Sequence, residues 1–392
     1  MHNKFVPFVT LNAVKGLKKI PHYIRNDKFF VQFSDLLNYR FKIKFIIIKI
    51  YINRVQNDLA RGRKGQIKMT DKTNETNVRK AAIIGCGFVG AASAFALMES
   101  GLFSEMVLID ADRDRAEGEA LDISHGMPFA KPMQIYAGDY DDIADAAIVI
   151  VTAGAGQKPG ETRLDLVKKN VAIFKSIIPE IKKRGYDGIL LIVANPVDIL
   201  TYAAAKLSGM PEGKVFGSGT VLDSARLKYQ LGEHLGVDSR SVHAFVLGEH
   251  GDSEIAAWSS VNVSGVPLNR FCEMRGHFEH TKAMERIADD VKNSAYEIIK
   301  KKKATYYGIA MSVRRICEAV ILDQKSVLPV STVQQGMFGI KDVALSMPAI
   351  VGKNGVETQV PISLNGEETA ALLQSASALK EVIAGLDLTV DE

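Results

Sequence analysis

The chain has 392 residues, 47% of them hydrophobic and 24% charged, which is the composition of a globular protein large enough for two domains. Its three cysteines, Cys86, Cys272 and Cys317, are far apart and include no Cys-x-x-Cys pair. This argues against a disulfide framework and against a zinc site, and it fits a reducing compartment such as the cytoplasm. No apolar run is long enough to span a membrane, so we expect no membrane partner.

The formal net charge of +4 comes from the N-terminal segment alone. Residues 1–68 contain 15 Lys and Arg against 3 Asp, a net charge of +12, so residues 69–392 carry a net charge of −8. An acidic body is ordinary for an enzyme, and we expect no nucleic-acid partner.

Residues 1–78 are predicted to be a leader that is disordered or is not translated. The run Phe45-Ile46-Ile47-Ile48 is too short for a secretory signal, and a mitochondrial-type leader would be richer in Ser and Arg. Met69 starts a polar run before the first predicted strand, and Lys64-Gly65 can be encoded by a string that resembles a ribosome-binding site. Our hypothesis is that translation starts at Met69, which the intact mass of the native protein would test.

From Arg79 onward, short apolar runs alternate with helical stretches. The runs predict strands over Lys80–Ile84, Met106–Ile109, Ala146–Val151 and Ile189–Val193. The stretches between them predict helices over Val89–Ser100, Leu164–Arg184 and Ile199–Lys206. This alternation indicates a parallel sheet with helices on both faces, which binds ligands at the carboxyl ends of its strands.

After Gly219 the pattern changes to a mixture of helices and antiparallel strands. Helices are predicted over Val221–Leu235, Met284–Lys301, Gly308–Leu322 and Asn365–Leu386. Strands are predicted over Ser326–Val333 and Val343–Val351. The last helix starts with a capping box of Asn365 and Glu368. We therefore predict two domains, an α/β domain over residues 79–219 and an α+β domain over residues 220–392.

The glycines Gly85, Gly87 and Gly90 form a Gly-x-Gly-x-x-Gly motif between the first strand and the first helix. Alone this signal is weak, because a glycine turn can simply pack a βαβ unit. Here Asp110 ends the next strand, 20 residues after Gly90, where a carboxylate can accept both ribose hydroxyls and repel a 2′-phosphate. The pattern predicts a Rossmann-type domain that binds NAD rather than NADP.

A candidate acid–base site lies in the second half of the chain. His250 follows the apolar run Ala244–Leu247, and Asp223 and Arg226 share one face of a predicted helix. An aspartate on one imidazole nitrogen leaves the other to donate a proton, and an arginine can bind a substrate carboxylate bidentately. Taken singly, His250 would more often be a structural histidine, and Asp223 and Arg226 would more often be an ordinary helix pair. Beside a nucleotide motif they indicate a dehydrogenase.

Two loops at the carboxyl edge of the sheet carry further candidates. The loop 153–163 has glycines near both ends, which is typical of a lid that expels water. Arg163 at its far end could polarise a carbonyl oxygen, and Asn195 in the next loop could bind a carbonyl or the nicotinamide. The alternatives are a solvated surface loop and a plain turn into a helix.

With these motifs, the body from Arg79 to Leu386 resembles the bacterial type of L-lactate dehydrogenase in the lactate/malate dehydrogenase family. The resemblance implies reversible hydride transfer between NADH and pyruvate, giving L-lactate at the end of glycolysis and fermentation. It implies that His250 is the acid–base group oriented by Asp223, that Arg226 binds the substrate carboxylate and that Arg163 polarises the carbonyl.

The resemblance also implies contact residues and no metal site. The implied substrate contacts are Gln157, Asn195, Asp198 and Thr305. The implied cofactor contacts are Gly85, Gly87, Val89, Gly90, Asp110, Arg115, Tyr140, Gly154, Ala155, Val193, Asn195 and Ser218. Malate dehydrogenases carry an arginine at the position of Gln157 for the second carboxylate of oxaloacetate. Gln157 therefore predicts pyruvate, since an unpaired carboxylate under a closed lid is costly.

The bacterial enzymes of this family are often tetramers activated by fructose 1,6-bisphosphate. The resemblance places Lys228 and His243 at that anion site, although lysine replaces the usual arginine.

Three rival functions remain. They are a dehydrogenase for bulkier 2-hydroxy acids, an NAD-dependent glycoside hydrolase and a non-catalytic NAD-binding protein. The hydrolase would need a cysteine beside His250 or Asn195, and the sequence has none there.

Overall fold

The computed structural model describes residues 77–156 and 160–389. The predictions for the leader before residue 77, for Gln157 and for the last three residues of the second domain fall outside the described residues. One boundary changes: the first strand, β1, spans Asn77–Ile84, so the last two residues assigned to the leader belong to the sheet.

The first half of the described chain forms a parallel sheet. Its strands after β1 are β2 (Glu105–Ile109), β3 (Gln134–Ala137), β4 (Ala146–Val151), β5 (Ile189–Ile192) and β6 (Val215–Gly217). They lie in the order 3-2-1-4-5-6 and every neighbouring pair is parallel. This is the strand order of a Rossmann domain, with its switch point between β1 and β4. The predicted α/β architecture is confirmed.

Helices cover both faces of this sheet. They are α1 (Phe88–Ser100), α2 (Arg113–His125), α3 (Arg163–Lys183) and α4 (Val197–Ser208). The prediction missed α2, because only Ala116, Ala120 and Ile123 of its 13 residues are buried and most of the rest are charged or polar. A helix with so few apolar positions has little periodicity to detect.

The central strands are apolar throughout because both of their faces are buried. In β1, Ala81 and Ile83 pack into one hydrophobic cluster, whereas Ala82 and Ile84 pack into the cluster on the opposite face. Successive side chains of a strand point to opposite faces, so a strand with helices on both sides reads as a continuous apolar run.

The second half of the chain adds five helices and continues the same sheet. The helices are α5 (Val221–Leu235), α6 (Leu268–Met274), α7 (His280–Lys302), α8 (Tyr307–Ile321) and α9 (Gly366–Ala384). Short strands β7 to β11 span Val242–His243, Val246–Leu247, Ile255–Ala256, Asn262–Val263 and Val266–Pro267. The long strands are β12 (Ser326–Gln335), β13 (Lys341–Gly352) and β14 (Gly355–Gln359).

The strands β12 and β13 are antiparallel, as predicted, and β14, which was not predicted, pairs antiparallel with β13. These strands do not form a sheet of their own. Ser331 of β12 pairs with Gly217 of β6, which makes one sheet of nine strands. The sheet therefore crosses the predicted domain boundary at residues 219 and 220, which stays a prediction. Among the described helices, none combines the length and the apolar character needed to cross a membrane.

Candidate active site

β1 ends in a glycine turn that packs tightly against its neighbours. Gly85 has a φ of +101°, and a Cβ built there would lie 2.5 Å from the backbone nitrogen of Ala153. A Cβ at Gly90 would overlap the carbonyl oxygen of Gly85. Gly87 differs, because apart from its chain neighbours no described atom lies within 4 Å of a Cβ built there. The turn therefore leaves room for a ligand at Gly87, against the N-terminus of α1.

Asp110 follows β2 and turns back towards the glycine turn. Its Oδ2 accepts a hydrogen bond from the Cys86 N–H at 2.6 Å, and its Oδ1 accepts one from the Asp112 N–H at 2.9 Å. These bonds fix the direction of the carboxylate. Its remaining lone pairs can accept further hydrogen bonds, such as those of two ribose hydroxyls.

A cavity of about 520 Å³ opens at the switch point between β1 and β4. Its lining includes seven of the predicted cofactor residues, namely Gly85, Gly87, Asp110, Arg115, Tyr140, Gly154 and Ala155. The other five predicted contacts, Val89, Gly90, Val193, Asn195 and Ser218, are not lining residues of this cavity. Glycine backbone forms one part of the cavity, and the Asp110 carboxylate forms another. These groups fit the pyrophosphate and the ribose of a dinucleotide.

Asn170 is a site residue that the sequence analysis missed. It is buried in α3, and its Oδ1 accepts a hydrogen bond from the Ala155 N–H at 2.7 Å. Its Nδ2 donates to the carbonyl oxygens of Ala155 at 3.2 Å and Asn195 at 2.8 Å. It thus ties the loop after β4 to the loop after β5. The sequence feature that could have identified Asn170 is a single amide among the apolar residues on one face of the predicted helix.

The turn that carries His250 is held by hydrogen bonds to two other elements. Gly248, with a φ of +81°, exchanges backbone hydrogen bonds of 3.0 and 2.9 Å with Ser346 of β13. The Glu249 N–H donates to Ser375 Oγ of α9 at 2.9 Å. These contacts place His250 at the carboxyl edge of the sheet.

The helix α5 is tied to the strand before this turn. The Val246 N–H donates to Ser224 Oγ at 2.8 Å, and Thr220 Oγ1 donates to the carbonyl oxygen of Val246. Because Asp223 lies between these two anchors, its side chain is brought to His250 by buried hydrogen bonds between side-chain hydroxyls and the Val246 backbone.

His250, Asp223 and Arg226 form one hydrogen-bonded group. His250 Nδ1 lies 2.5 Å from Asp223 Oδ2, and Arg226 Nη1 donates to Asp223 Oδ1 at 2.8 Å. Burial lowers the pKa of His250, but the charge and hydrogen bond of Asp223 outweigh it and raise that pKa to about 9. In turn, His250 and Arg226 lower the pKa of Asp223 against the effect of burial. The histidine is therefore protonated at neutral pH, and Nε2 is the nitrogen that can donate.

Asp198, predicted to contact substrate, lies behind His250. Its side chain is buried, and its Oδ2 accepts a hydrogen bond from the His250 N–H at 2.7 Å. Its Oδ1 accepts one from Ser331 Oγ at 2.5 Å. Burial raises the pKa of Asp198 to about 6, although both hydrogen bonds act in the other direction. Asp198 thus holds the backbone of His250. It is not among the residues that line the cavity beside His250, which is described below.

Arg163, predicted to end a mobile loop, is the first residue of α3. Thr162 and Asp165 form a capping box there. The guanidinium contacts the carboxylate of Glu249 and donates to Asp252 Oδ2 at 3.1 Å. The Arg163 side chain is 54% exposed, so two carboxylates hold it at the rim of the site.

A cavity of about 290 Å³ connects these groups. The predicted residues that line it are Arg163, Asn195, Asp223, Arg226 and His250. Glu254 and Lys292 line it too, and the sequence analysis missed both because single charged residues carry no pattern. Thr305 lies between α7 and α8 and is not a lining residue.

The two cavities lie at the same edge of one sheet, and Asn170 connects the loops that border them. A dinucleotide site beside an acid–base group and an arginine defines an NAD-dependent oxidoreductase. Residues 79–217 match the family described as lactate/malate dehydrogenase, NAD binding domain, and residues 220–387 match its alpha/beta C-terminal domain. The chain belongs to the lactate/malate dehydrogenase family, and its cofactor is NAD.

Individual relatives resemble the chain over nearly their whole length. It is 52% identical over 315 residues to the L-lactate dehydrogenase of Acetivibrio thermocellus, covering 80% of this chain and 99% of that protein. It is 53% identical over 309 residues to that of Thermoanaerobacterium saccharolyticum, covering 79% and 99%. The ligand-bound crystal structure of the minor L-lactate dehydrogenase of Enterococcus mundtii has a TM-score of 0.77 and 46% identity, covering 79% of this chain and 99% of that one.

Proposed function

We propose that this protein is an L-lactate dehydrogenase that reduces pyruvate with NADH and catalyses the reverse reaction. The observation that carries the proposal is the group of His250, Asp223 and Arg226 facing one small cavity. Its volume lies at the lower end of the range for small-molecule sites, about 300–1,000 Å³, which suits a three-carbon acid. The relatives described above are L-lactate dehydrogenases, which supports the same substrate.

In the proposed mechanism, Arg226 binds the substrate carboxylate with the donors that Asp223 does not use. The glycine turn and Asp110 would hold NADH, which would supply a hydride for the carbonyl carbon. His250 donates the Nε2 proton to the carbonyl oxygen, and Asp223 stabilises the imidazolium before transfer. Asp198 keeps the His250 backbone in place. In lactate oxidation, neutral His250 accepts the hydroxyl proton.

Arg163 is proposed to leave its carboxylate partners and polarise the carbonyl when the loop closes. Gln157, in that loop, is proposed to select pyruvate over oxaloacetate. The first test compares NADH oxidation by the purified protein with pyruvate and with oxaloacetate. A strong preference for pyruvate supports the proposal. A preference for oxaloacetate, or no turnover, contradicts it.

The substitution Gln157→Arg tests the specificity proposal. A new guanidinium would pair with the second carboxylate of oxaloacetate, and a charged hydrogen bond contributes about 1.5–3 kcal/mol, which corresponds to roughly 10–150-fold. We expect the ratio of kcat/KM for oxaloacetate over pyruvate to rise by about that factor. Gln157→Asn is the control, since it adds no charge. An unchanged ratio in Gln157→Arg would refute the role given to Gln157.

We also propose that Lys228 and His243 bind fructose 1,6-bisphosphate. Lys228 Nζ lies 5.8 Å from the ring centroid of Phe245, which is two residues after the exposed His243. Burial, with the nearby charge of Arg315, lowers the pKa of Lys228. Within the described residues no carboxylate pairs with Lys228, so a phosphate would supply the opposite charge that this half-buried cation lacks.

Activation is measured as the change in KM for pyruvate with added fructose 1,6-bisphosphate. We expect Lys228→Ala to raise the half-saturating bisphosphate concentration at least tenfold, while Lys206→Ala, an exposed lysine on α4, leaves it unchanged. If Lys228→Ala responds like the wild type, Lys228 is not part of the site.

Three further proposals complete the function. The protein acts in the cytoplasm at the end of fermentative glycolysis, which its three free cysteines support. It assembles as a homotetramer, which would cover large exposed apolar side chains such as Phe95, Leu121 and Phe129. Residues 79–219 and residues 220–392 act as a cofactor domain and a catalytic domain. Sedimentation velocity of the purified protein tests the tetramer, and a monomer would contradict it.

A further inference from the structure

Glu254 is a second carboxyl group inside the catalytic cavity. It lies four residues after His250 and lines the cavity together with Asp223, Arg226 and Lys292. One carboxyl oxygen of Glu254, one of Asp223 and a ring nitrogen of His250 all lie within 4.8 Å of one another. The mechanism proposed above uses Asp223 and leaves Glu254 without a role.

The two carboxyl groups have different partners. Asp223 accepts a hydrogen bond from Arg226 and is in contact with His250 Nδ1. The backbone N–H of Glu254 donates to the Gly251 carbonyl oxygen at 3.2 Å, but over residues 77–156 and 160–389 its carboxyl group makes no hydrogen bond or ion pair. Carboxylates this close disfavour double ionisation. The negative charge therefore belongs on Asp223 and the proton on Glu254.

The surrounding charges agree with this assignment. Burial, followed by the charge of Asp223, raises the pKa of Glu254 to about 8, although His250, Arg226 and Lys292 act in the other direction. Apart from Arg163 and Asp252, which pair with each other at the rim, the cavity lining at neutral pH thus holds three cationic side chains, His250, Arg226 and Lys292, against the single negative charge of Asp223. That balance attracts a carboxylate anion.

The groups at the rim add one cation and two carboxylates, a net charge of −1 outside the inner lining. They are Arg163, Glu249, Asp252 and Tyr296. They bind one another, since both carboxylates hold Arg163 and the Tyr296 hydroxyl donates to Asp252 at 3.1 Å. Glu254 is therefore, together with His250, a group whose ionisation alters the charge that the substrate meets inside.

We propose that the cavity accepts the substrate carboxylate only while Glu254 is protonated, so that binding needs two protons, one on Glu254 and one on His250. An ionised Glu254 adds a second negative charge beside the proton donor and repels the anion. A protonated Glu254 is neutral and can donate a hydrogen bond. This inference rests on the proposed function, because it concerns the carboxylate of the proposed substrate.

The test counts these protons by equilibrium binding. Oxamate, the unreactive amide analogue of pyruvate, is titrated into the protein with bound NADH, and NADH fluorescence gives its Kd from about pH 6.5 to 10.5. Two required protons make the Kd rise about a hundredfold per pH unit at the alkaline limit, and one makes it rise about tenfold. We expect the steeper dependence in the wild type and the shallower one in Glu254→Gln.

Two further variants control for charge and for folding. Glu285→Gln removes an exposed carboxylate of α7 outside the cavity and should keep the steep dependence. Glu254→Asp retains a titrating carboxyl group and should also keep it. A merely structural role of Glu254 would change the Kd at all pH values without changing the slope. If Glu254→Gln does not fold, the pH dependence of the oxamate Kd in the wild type and in Glu254→Asp still tests the requirement for two protons.

The outcomes distinguish a failure of this inference from a failure of the proposed function on which it rests. A tenfold slope in the wild type, or a hundredfold slope in Glu254→Gln, overturns the inference while pyruvate turnover at pH 7 keeps the proposed function intact. A protein that binds NADH but neither binds oxamate nor reduces pyruvate at pH 7 refutes both.

Discussion

The cofactor cavity and the substrate cavity are neighbours, but different parts of the chain build them. The cofactor cavity is lined by glycines and by mainly small or apolar side chains. At its glycine turn, Gly85 and Gly90 permit close packing and Gly87 leaves space. The substrate cavity is formed by charged side chains, among which Asp223 and His250 lie 2.5 Å apart although 27 residues separate them in sequence. Shape therefore governs the first cavity, and electrostatics governs the second.

Because the two cavities differ in this way, substitutions in them should have different effects. A methyl group in the cofactor turn should disturb packing and dinucleotide binding but leave the protonation of His250 unchanged. A change of charge in the substrate cavity should alter turnover and its pH dependence but leave NADH binding unchanged. Asn170 is the exception, since its side chain bonds to the loops of both cavities.

The largest effect is expected for His250→Asn. It removes the proton donor but keeps a side chain of similar polarity, and general acid–base catalysis contributes about 10²–10⁴-fold. We expect kcat for pyruvate reduction to fall by about that factor, while the Kd of NADH, measured by fluorescence, stays within about twofold. Near-normal turnover would remove His250 from the mechanism.

The next effect is expected for Asp223→Asn. The pKa of His250 is raised to about 9 chiefly by Asp223, so without that charge burial dominates and the pKa falls below the ordinary 6.5. Pyruvate reduction needs protonated His250, so its rate is lost as pH rises through that pKa. In the wild type the alkaline limb of kcat/KM is set by Glu254, with a pKa of about 8, and by His250, with a pKa of about 9. We expect Asp223→Asn to move this limb to below about pH 6.5, with at least a tenfold loss at pH 7.5. An unshifted limb would contradict the pairing.

A pair of glycine substitutions tests the cofactor cavity. Gly90→Ala forces a Cβ onto the Gly85 carbonyl oxygen, and overpacking of this kind destabilises by about 1–3 kcal/mol. We expect a lower Tm for Gly90→Ala and an unchanged Tm for Gly87→Ala, whose Cβ meets open space. Gly87→Ala should still weaken NADH binding about tenfold, because its methyl group takes space that the pyrophosphate needs. Equal Tm losses in both variants would contradict this distinction.

The smallest effect is expected for Asn170→Ala, which should impair both cavities at once. It leaves the peptide groups of Ala155 and the carbonyl of Asn195 without their partner, and water can replace part of what is lost. We expect the Kd of NADH and the KM for pyruvate to rise together, by about three- to tenfold each. Asn170→Asp keeps an acceptor for the Ala155 N–H and should have the smaller effect on NADH.

Much of the architecture could be predicted because it depends on local periodicity. Continuous apolar runs identified β1, β4 and β5, the helical period identified α5 as Val221–Leu235, and the capping box at Asn365 identified the start of α9. The glycine motif together with Asp110 pointed to NAD because both belong to one short βαβ segment. Each of these features is contained in about 10–30 consecutive residues.

By itself, then, the sequence determined the α/β class, the elements with strong periodicity and the candidate residues whose motifs are local. Only the tertiary structure decided that β12 joins β6, that Asp198 lies behind His250, that Asn170 links two loops and that Glu254 approaches Asp223. The physical reason is that burial and distances between remote residues arise from packing. The protonation of a carboxyl group depends on those quantities and has no periodic trace in the sequence.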